Sequence, residues 1–205
     1  GAILGAWVVL GALTDLWQRA GRMGIAVRLG RMARLPRAEW GKATAHAGLG
    51  VTIFAVAAMN AWSTEQIKVV QLGESFALHG LDVTLSKVEE VQGPNYLSTQ
   101  AEMVVRKGDQ VIAVMYPEKR VYPVQAMPTT EAAIDQGLWR DLYLVIGDKQ
   151  EAGGYAVRAY WKPMAAWLWI GAGLMALGGL LSLTDRRYRV AAGARRATPA
   201  PVPAE

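Results

Sequence analysis

The stretch from Trp40 to Trp62 constrains this chain more than any other, because beyond Lys42 its only ionisable side chain is His46. At about 1.5 Å per residue, a helix over these positions is roughly 33 Å long, close to the ~30 Å hydrocarbon core of a bilayer. A tryptophan at each end matches the aromatic belts that sit at headgroup level. His46 lies roughly 9 Å along the axis from Trp40, too deep to reach the interface. An ionisable residue at that depth usually faces a partner, a cavity or a ligand.

Two further apolar runs, 2–17 and 164–183, flank a polar middle, so the hydrophobic content of 52% is unevenly distributed. Residues 1–17 read as the end of a transmembrane helix, too short to span the bilayer as they stand. The chain opens inside this apolar run, without Met or a basic leader region, which reads as a start within a longer membrane protein. The second full span is expected at 163–184. Trp167 and Trp169 mark one end, and Gly171, Gly173, Gly178 and Gly179 leave small surfaces for a neighbouring helix.

The net charge of +5 conceals an asymmetry. Segment 18–39 carries six arginines against Glu39, and 185–205 is likewise basic, whereas 63–162 has ten basic and thirteen acidic residues. Basic loops remain in the cytoplasm. The expected topology therefore puts 18–39 and 185–205 in the cytoplasm and 63–162 on the opposite side of the membrane. Membrane lipid accounts for the basic bias without nucleic acid. Within the basic segment, Ile25, Leu29 and Met32 recur at helical spacing, which suits a short surface helix ended by Pro36. The tail 190–205, rich in Ala, Pro and Arg, has too few bulky apolar groups to fold. Zero cysteines exclude disulfides, thiol catalysis and cysteine-based metal sites.

The middle segment reads as short strands at 67–72, 81–88, 101–105, 111–116, 142–146 and 155–160, separated by turn signals such as Gly93-Pro94-Asn95 and Gly153-Gly154. One helical turn is expected at Thr130–Ile134. The fold class is thus an integral membrane α-helical protein with an inserted all-β domain, a small barrel or sandwich.

His46 has two readings. It either hydrogen-bonds a neighbouring helix or ligates a metal or haem iron, which imidazole suits. Ala45, Gly48 and Gly50 would let a flat macrocycle approach. A bis-histidine haem needs a second ligand, and the other histidine, His79, falls at a strand-to-turn boundary and reads as a surface residue. In the run Tyr116-Pro-Glu-Lys-Arg120-Val-Tyr122, Arg120 and Tyr122 could meet a propionate-bearing ligand or a partner protein. On the residues alone, the favoured reading of the same run is an edge strand with a solvated charge pair. Arg140 beside Asp141 carries the same ambiguity. The sequence has no phosphate-binding glycine loop, no Ser/His/Asp set and no zinc spacing.

Six pieces in order resemble the C-terminal part of the CcmF family, the haem-lyase subunits of bacterial cytochrome c maturation. They are Trp40-Gly…Ala45-His46-Ala-Gly48, Tyr116-Pro-Glu-Lys-Arg120-Val-Tyr122, Thr130-Glu131-Ala-Ala-Ile134, Arg140-Asp141-Leu-Tyr143, Val157-Arg158…Lys162-Pro163 and Met175-Ala-Leu-Gly178-Gly179…Ser182…Asp185-Arg186-Arg187. Together they cover about 40–189, and the lyase of the formate-dependent nitrite reductase pathway would share most of them.

The resemblance implies a multi-span cytochrome c synthase of the bacterial inner membrane, with 63–162 as an inserted periplasmic all-β domain. Haem delivered as substrate by the chaperone CcmE would be joined to the Cys-x-x-Cys-His thiols of apocytochrome c, presented by CcmH. It also implies a structural haem b, with His46 as an axial ligand of its iron and Gly48 as a packing surface, and with quinol as a candidate reductant. The family's tryptophan-rich WWD segment and its periplasmic histidines are absent here, so the substrate-haem site is expected upstream. The alternative is a non-enzymatic periplasmic docking module of the maturation complex.

Overall fold

A computed structural model describes residues 1–124 and 127–185, which form two units: residues 1–57 with 167–185, and residues 58–166. The basic tail expected at 185–205 lies, apart from Asp185, outside the described residues.

The first unit is helical. It contains α1 (Ala2–Arg19), α2 (Ile25–Ala33), most of α3 (Arg37–Trp62) and most of α4 (Ala165–Leu183). Pro36 precedes α3, because a residue without an N–H is tolerated at a helix start but not within one. The carboxylate of the buried Asp185 accepts the Ala38 N–H at 2.9 Å, supplying one of the acceptors that the first turn of α3 lacks. Helix α2 is held at the end of α1 by Arg28. Its guanidinium donates to the Trp17 carbonyl at 2.9 Å and lies 4.3 Å from the Trp17 ring.

Glycines let the backbones of α3 touch both neighbours. A Cβ placed on Gly48 would lie 2.6 Å from the Gly171 carbonyl oxygen, and one on Gly178 only 2.5 Å from that of Gly41. A Cβ on Gly50 would lie 2.7 Å from the carbonyl oxygen of Gly5 in α1. At 100° per residue, Gly41 and Gly48 share one face of α3, while His46 and Gly50 share the other. Helix α3 is therefore a wedge with α4 on one side and α1 on the other. Both α3 and α4 are long and apolar enough to cross a membrane.

The second unit is a sandwich of antiparallel strands. One sheet has the order β1 (Thr64–Val70), β10 (Tyr155–Pro163), β9 (Arg140–Lys149) and β8 (Ala133–Gln136). The other runs β2 (Ser75–Leu78), β3 (Leu81–Gln92), β4 (Leu97–Lys107), β6 (Glu118–Tyr122) and β7 (Met127–Glu131), with β5 (Gln110–Met115) also paired to β4. Alternation sets the core. Leu81, Val83 and Leu85 of β3 and Ala101, Met103 and Val105 of β4 face Leu142, Leu144 and Ile146 of β9 and Val157 and Ala159 of β10, all buried. The open alternative of barrel or sandwich resolves as a sandwich.

The helical turn expected at Thr130–Ile134 does not form. Thr129 and Thr130 pair with Arg120 and Lys119 in one sheet, and Ile134 pairs with Tyr143 in the other. Ala132 is the residue at which the chain changes sheet. β-Branched threonines favour the pleated surface, and long-range pairing outweighs the local helical appearance of Glu-Ala-Ala. Nor is the Arg120 strand an edge, since β6 lies between β4 and β7.

Candidate functional site

His46 lies on the α1 side of α3, at a cavity of about 320 Å³ lined by Trp7, Gly11, Ala12 and Asp15 of α1 and by Lys42 and Ala43 of α3. Its Nδ1 is 2.8 Å from the Lys42 carbonyl oxygen, one turn earlier. A carbonyl only accepts, so Nδ1 donates, and in the neutral ring the lone pair is on Nε2. That tautomer, held by a backbone carbonyl, is the one a metal-ligating histidine needs. The donor chemistry at His46 therefore fits axial ligation of haem iron through Nε2. Among the described residues, no group of three His, Asp or Glu side chains could hold a free metal ion.

The polar end of the cavity is an ion-pair network between the same two helices. Lys42 Nζ lies 2.6 Å from Asp15 Oδ2 and 3.2 Å from Glu39 Oε2, and Arg19 bridges Asp15 at 3.1 Å and Glu39 at 2.9 Å. Asp15 was not singled out in the sequence. Its spacing four residues before Arg19 is a visible local signal, but its pairing with Lys42 depends on α1 and α3 being adjacent.

Gly48 has a different place from the one expected. It is two residues from His46, about 200° around the helix, and α4 closes its surface at Gly171 and Met175. It packs a helix, not a macrocycle held by His46. Gly50, on the His46 face, packs against α1.

In the sandwich, Arg120 and Tyr122 come together around Tyr96. The Arg120 guanidinium lies 4.5 Å from the Tyr96 ring, and the Tyr122 ring centroid lies 5.7 Å from that of Tyr96. Arg120 also pairs with Glu118 at 2.9 Å and with Glu131 at 3.7 Å. Burial pushes the Glu118 carboxyl up, but donors from Arg120, Ser98 (2.9 Å) and Gln100 (2.6 Å) outweigh it and hold the group below the ordinary glutamate value. The Glu118 hydrogen bond in turn raises the Arg120 guanidinium above its usual value. Arg140 is elsewhere, paired with Asp135 and 5.6 Å from the Trp161 ring. The two arginines are thus cations already partnered within the domain. His79 is exposed, as expected, but its ring stacks on Trp161, a contact that the sequence does not signal.

Residues 61–163 match the family model described as the CcmF C-terminal beta-sandwich. The chain belongs to the CcmF family. It is 59% identical over 195 residues to the cytochrome c-type biogenesis protein ccl1 of Rhodobacter capsulatus, covering 95% of this chain and 29% of that one. It is 39% identical over 192 residues to the cytochrome c-type biogenesis protein CcmF of Haemophilus influenzae, covering 92% and 29%. The chain thus spans less than a third of the length of these relatives. A solved structure of a cytochrome c haem lyase CcmF shares the fold, with a TM-score of 0.60 at 18% identity, covering 89% of this chain and 33% of that one. Residues matched to the CcmF sandwich begin at the end of α3 and stop with β10, so His46 lies outside the matched segment.

Proposed function

We propose that this chain is the C-terminal part of a cytochrome c haem lyase, in which α3 and α4 cross the inner membrane and His46 is an axial ligand of a structural haem b. The match of residues 61–163 to the CcmF C-terminal sandwich carries the haem-lyase reading, and the Nδ1 contact to the Lys42 carbonyl supports His46 as a ligand. The membrane assignment is supported by outward faces that water would penalise. Leu177, Leu180 and Leu183 of α4 are 56%, 60% and 74% exposed. The charge asymmetry orients the spans, with 18–39 and 185–205 cytoplasmic and the sandwich periplasmic.

Bound at His46, a haem b would supply one-electron redox chemistry. The residues of this chain do the positioning. The Lys42 carbonyl keeps the proton on Nδ1, the glycine contacts with α1 and α4 fix the rotation of α3, and the Asp15–Lys42 pair provides a charged wall at one end of the cavity. The second imidazole of a bis-histidine site would come from outside these 205 residues. Substrate haem from CcmE, the thiols of apocytochrome c and a reductant such as quinol would meet at residues that this chain does not contain. Arg120 with Tyr122, and Arg140 at its separate place, enter as contacts for a partner such as CcmH or haem-loaded CcmE, each arginine held in position by its internal ion pair.

The test is genetic. A strain lacking the full-length gene should accumulate no covalently attached haem in c-type cytochromes on haem-stained gels, and the intact gene should restore it. Normal c-type cytochromes in the deletion strain would overturn the reading. Restoration by a protein lacking residues 66–160 would remove the sandwich from the reaction, whereas loss of CcmH co-purification with retained b haem would make it a docking module.

A further inference from the structure

One end of the sandwich carries an aromatic rim with no part in the role proposed for His46. Trp62 closes α3, Thr64 of β1 pairs with Trp161 of β10, and His79, in the turn between β2 and β3, stacks on Trp161 with ring centroids 4.4 Å apart. His79 does so from a φ of 50°, a left-handed conformation uncommon outside glycine. In the turn between β8 and β9, Leu138 and Trp139 are 53% and 62% exposed. The Trp139 carbonyl accepts the N–H of Met164 at 2.9 Å, which ties this turn to the residue before α4. Trp62, His79, Trp139, Trp161 and Pro163 line a concavity of about 540 Å³ whose lining residues include no Asp, Glu, Lys or Arg. The rim end also holds Arg140, paired with Asp135 and 5.6 Å from the Trp161 ring, and Lys162, 4.4 Å from the Tyr143 ring; the opposite end of the same sheet, at the turn between β9 and β10, carries Asp148, Lys149 and Glu151.

The geometry points to a lipid-contacting rim: Trp62, Leu138, Trp139 and Trp161 sit at headgroup level, and a membrane phospholipid fills the concavity between them. This rests on the reading of α3 and α4 as spans. By chain connectivity, α3 ends at Trp62 of this rim and α4 begins at Ala165, two residues after Pro163. The residue types agree, because indole is most favoured where its apolar body meets lipid and its N–H meets water. An exposed Leu-Trp pair beside three further aromatic rings would be a liability in water and is an anchor at the interface. The sandwich is then held to the bilayer at a third point besides its two helices.

The experiment uses the full-length protein in phosphatidylcholine nanodiscs, with any cysteine outside these 205 residues replaced by serine; this chain has none. Trp139→Cys, Leu138→Cys, Glu151→Cys and Leu177→Cys are each labelled with a fluorophore. The probes are quenched by lipid bearing a nitroxide near the headgroup, or by aqueous iodide. Labels at 138 and 139 should be quenched by nitroxide lipid at least about twofold more than the label at 151, with the order reversed for iodide. Behaviour at 138 and 139 like that at 151 would overturn the inference, as would shielding from both quenchers, the mark of a protein partner. A label at 177 untouched by nitroxide lipid would instead remove the span reading, and the inference with it.

Discussion

Placing a single methyl group on either side of the α3–α4 seam separates packing glycines from incidental ones. In Gly48→Ala the new Cβ would lie 2.6 Å from the Gly171 carbonyl oxygen and 2.7 Å from the Met175 nitrogen, and ordinary contact begins at 3.4 Å. The neighbours are backbone atoms and cannot turn aside, so the helices must part by up to about 0.8 Å. A gap of that size forfeits roughly a quarter to a half of each dispersion contact along the seam, and overpacking of this kind costs about 1–3 kcal/mol. Gly171→Ala and Gly178→Ala should behave alike. Among the described residues, a Cβ on Gly173 or Gly179 meets nothing within 4 Å. Alanine there should be neutral, or stabilising by up to about 1 kcal/mol through helix propensity. Thermal unfolding of the purified full-length protein, followed by intrinsic tryptophan fluorescence, should therefore lower the midpoint for 48, 171 and 178 and spare 173 and 179. Equal damage at 173 and 171 would refute the assignment of faces.

Glu118→Ala removes the acceptor shared by Ser98, Gln100 and Arg120 and strands the buried Ser98 hydroxyl, at a cost of about 1.5–3 kcal/mol in the same melts. Because the folded Glu118 carboxyl is held below its ordinary value near 4.5, its contribution is present above that pH and lost as pH falls through the lower folded value. The destabilisation caused by Glu118→Ala should thus be full at neutral pH and shrink in acid, read from melts across a pH series. Leu144→Ala, at a fully buried position of β9, should cost about 2–5 kcal/mol and abolish the sandwich's protease resistance before it affects the helices.

The strands that could be read in advance are those with strong period-2 alternation and a buried face. Leu81-Asp-Val-Thr-Leu and Leu142-Tyr-Leu-Val-Ile show their inward residues directly, and these form the core. The short strands β2, β7 and β8, of four or five residues each, escape because their signals are weak or local. Thr129 and Thr130 become strand only when β6 is there to pair with, and Glu131-Ala-Ala looks helical in isolation. In the helices, the glycines of α4 announced a close contact but not which two would make it. Gly171 and Gly178 are seven residues apart and share a face; Gly173 and Gly179 point elsewhere. His46 stood out because an imidazole in an apolar run has few uses. Asp15 did not, because an Asp four residues before an Arg is ordinary on any helix, and only the adjacency of α1 and α3 gives it Lys42. The same reasoning explains Gly48. Proximity in sequence to His46 suggested a shared face, whereas two residues of helix turn it away.

The role of His46 can be measured directly. Full-length protein carrying His46→Ala, purified from membranes, should lose its b-type haem in reduced-minus-oxidised spectra and pyridine haemochrome assays. It should keep wild-type abundance and protease resistance of the sandwich. Undiminished b-haem content in that variant would contradict the assignment of His46 as an axial ligand.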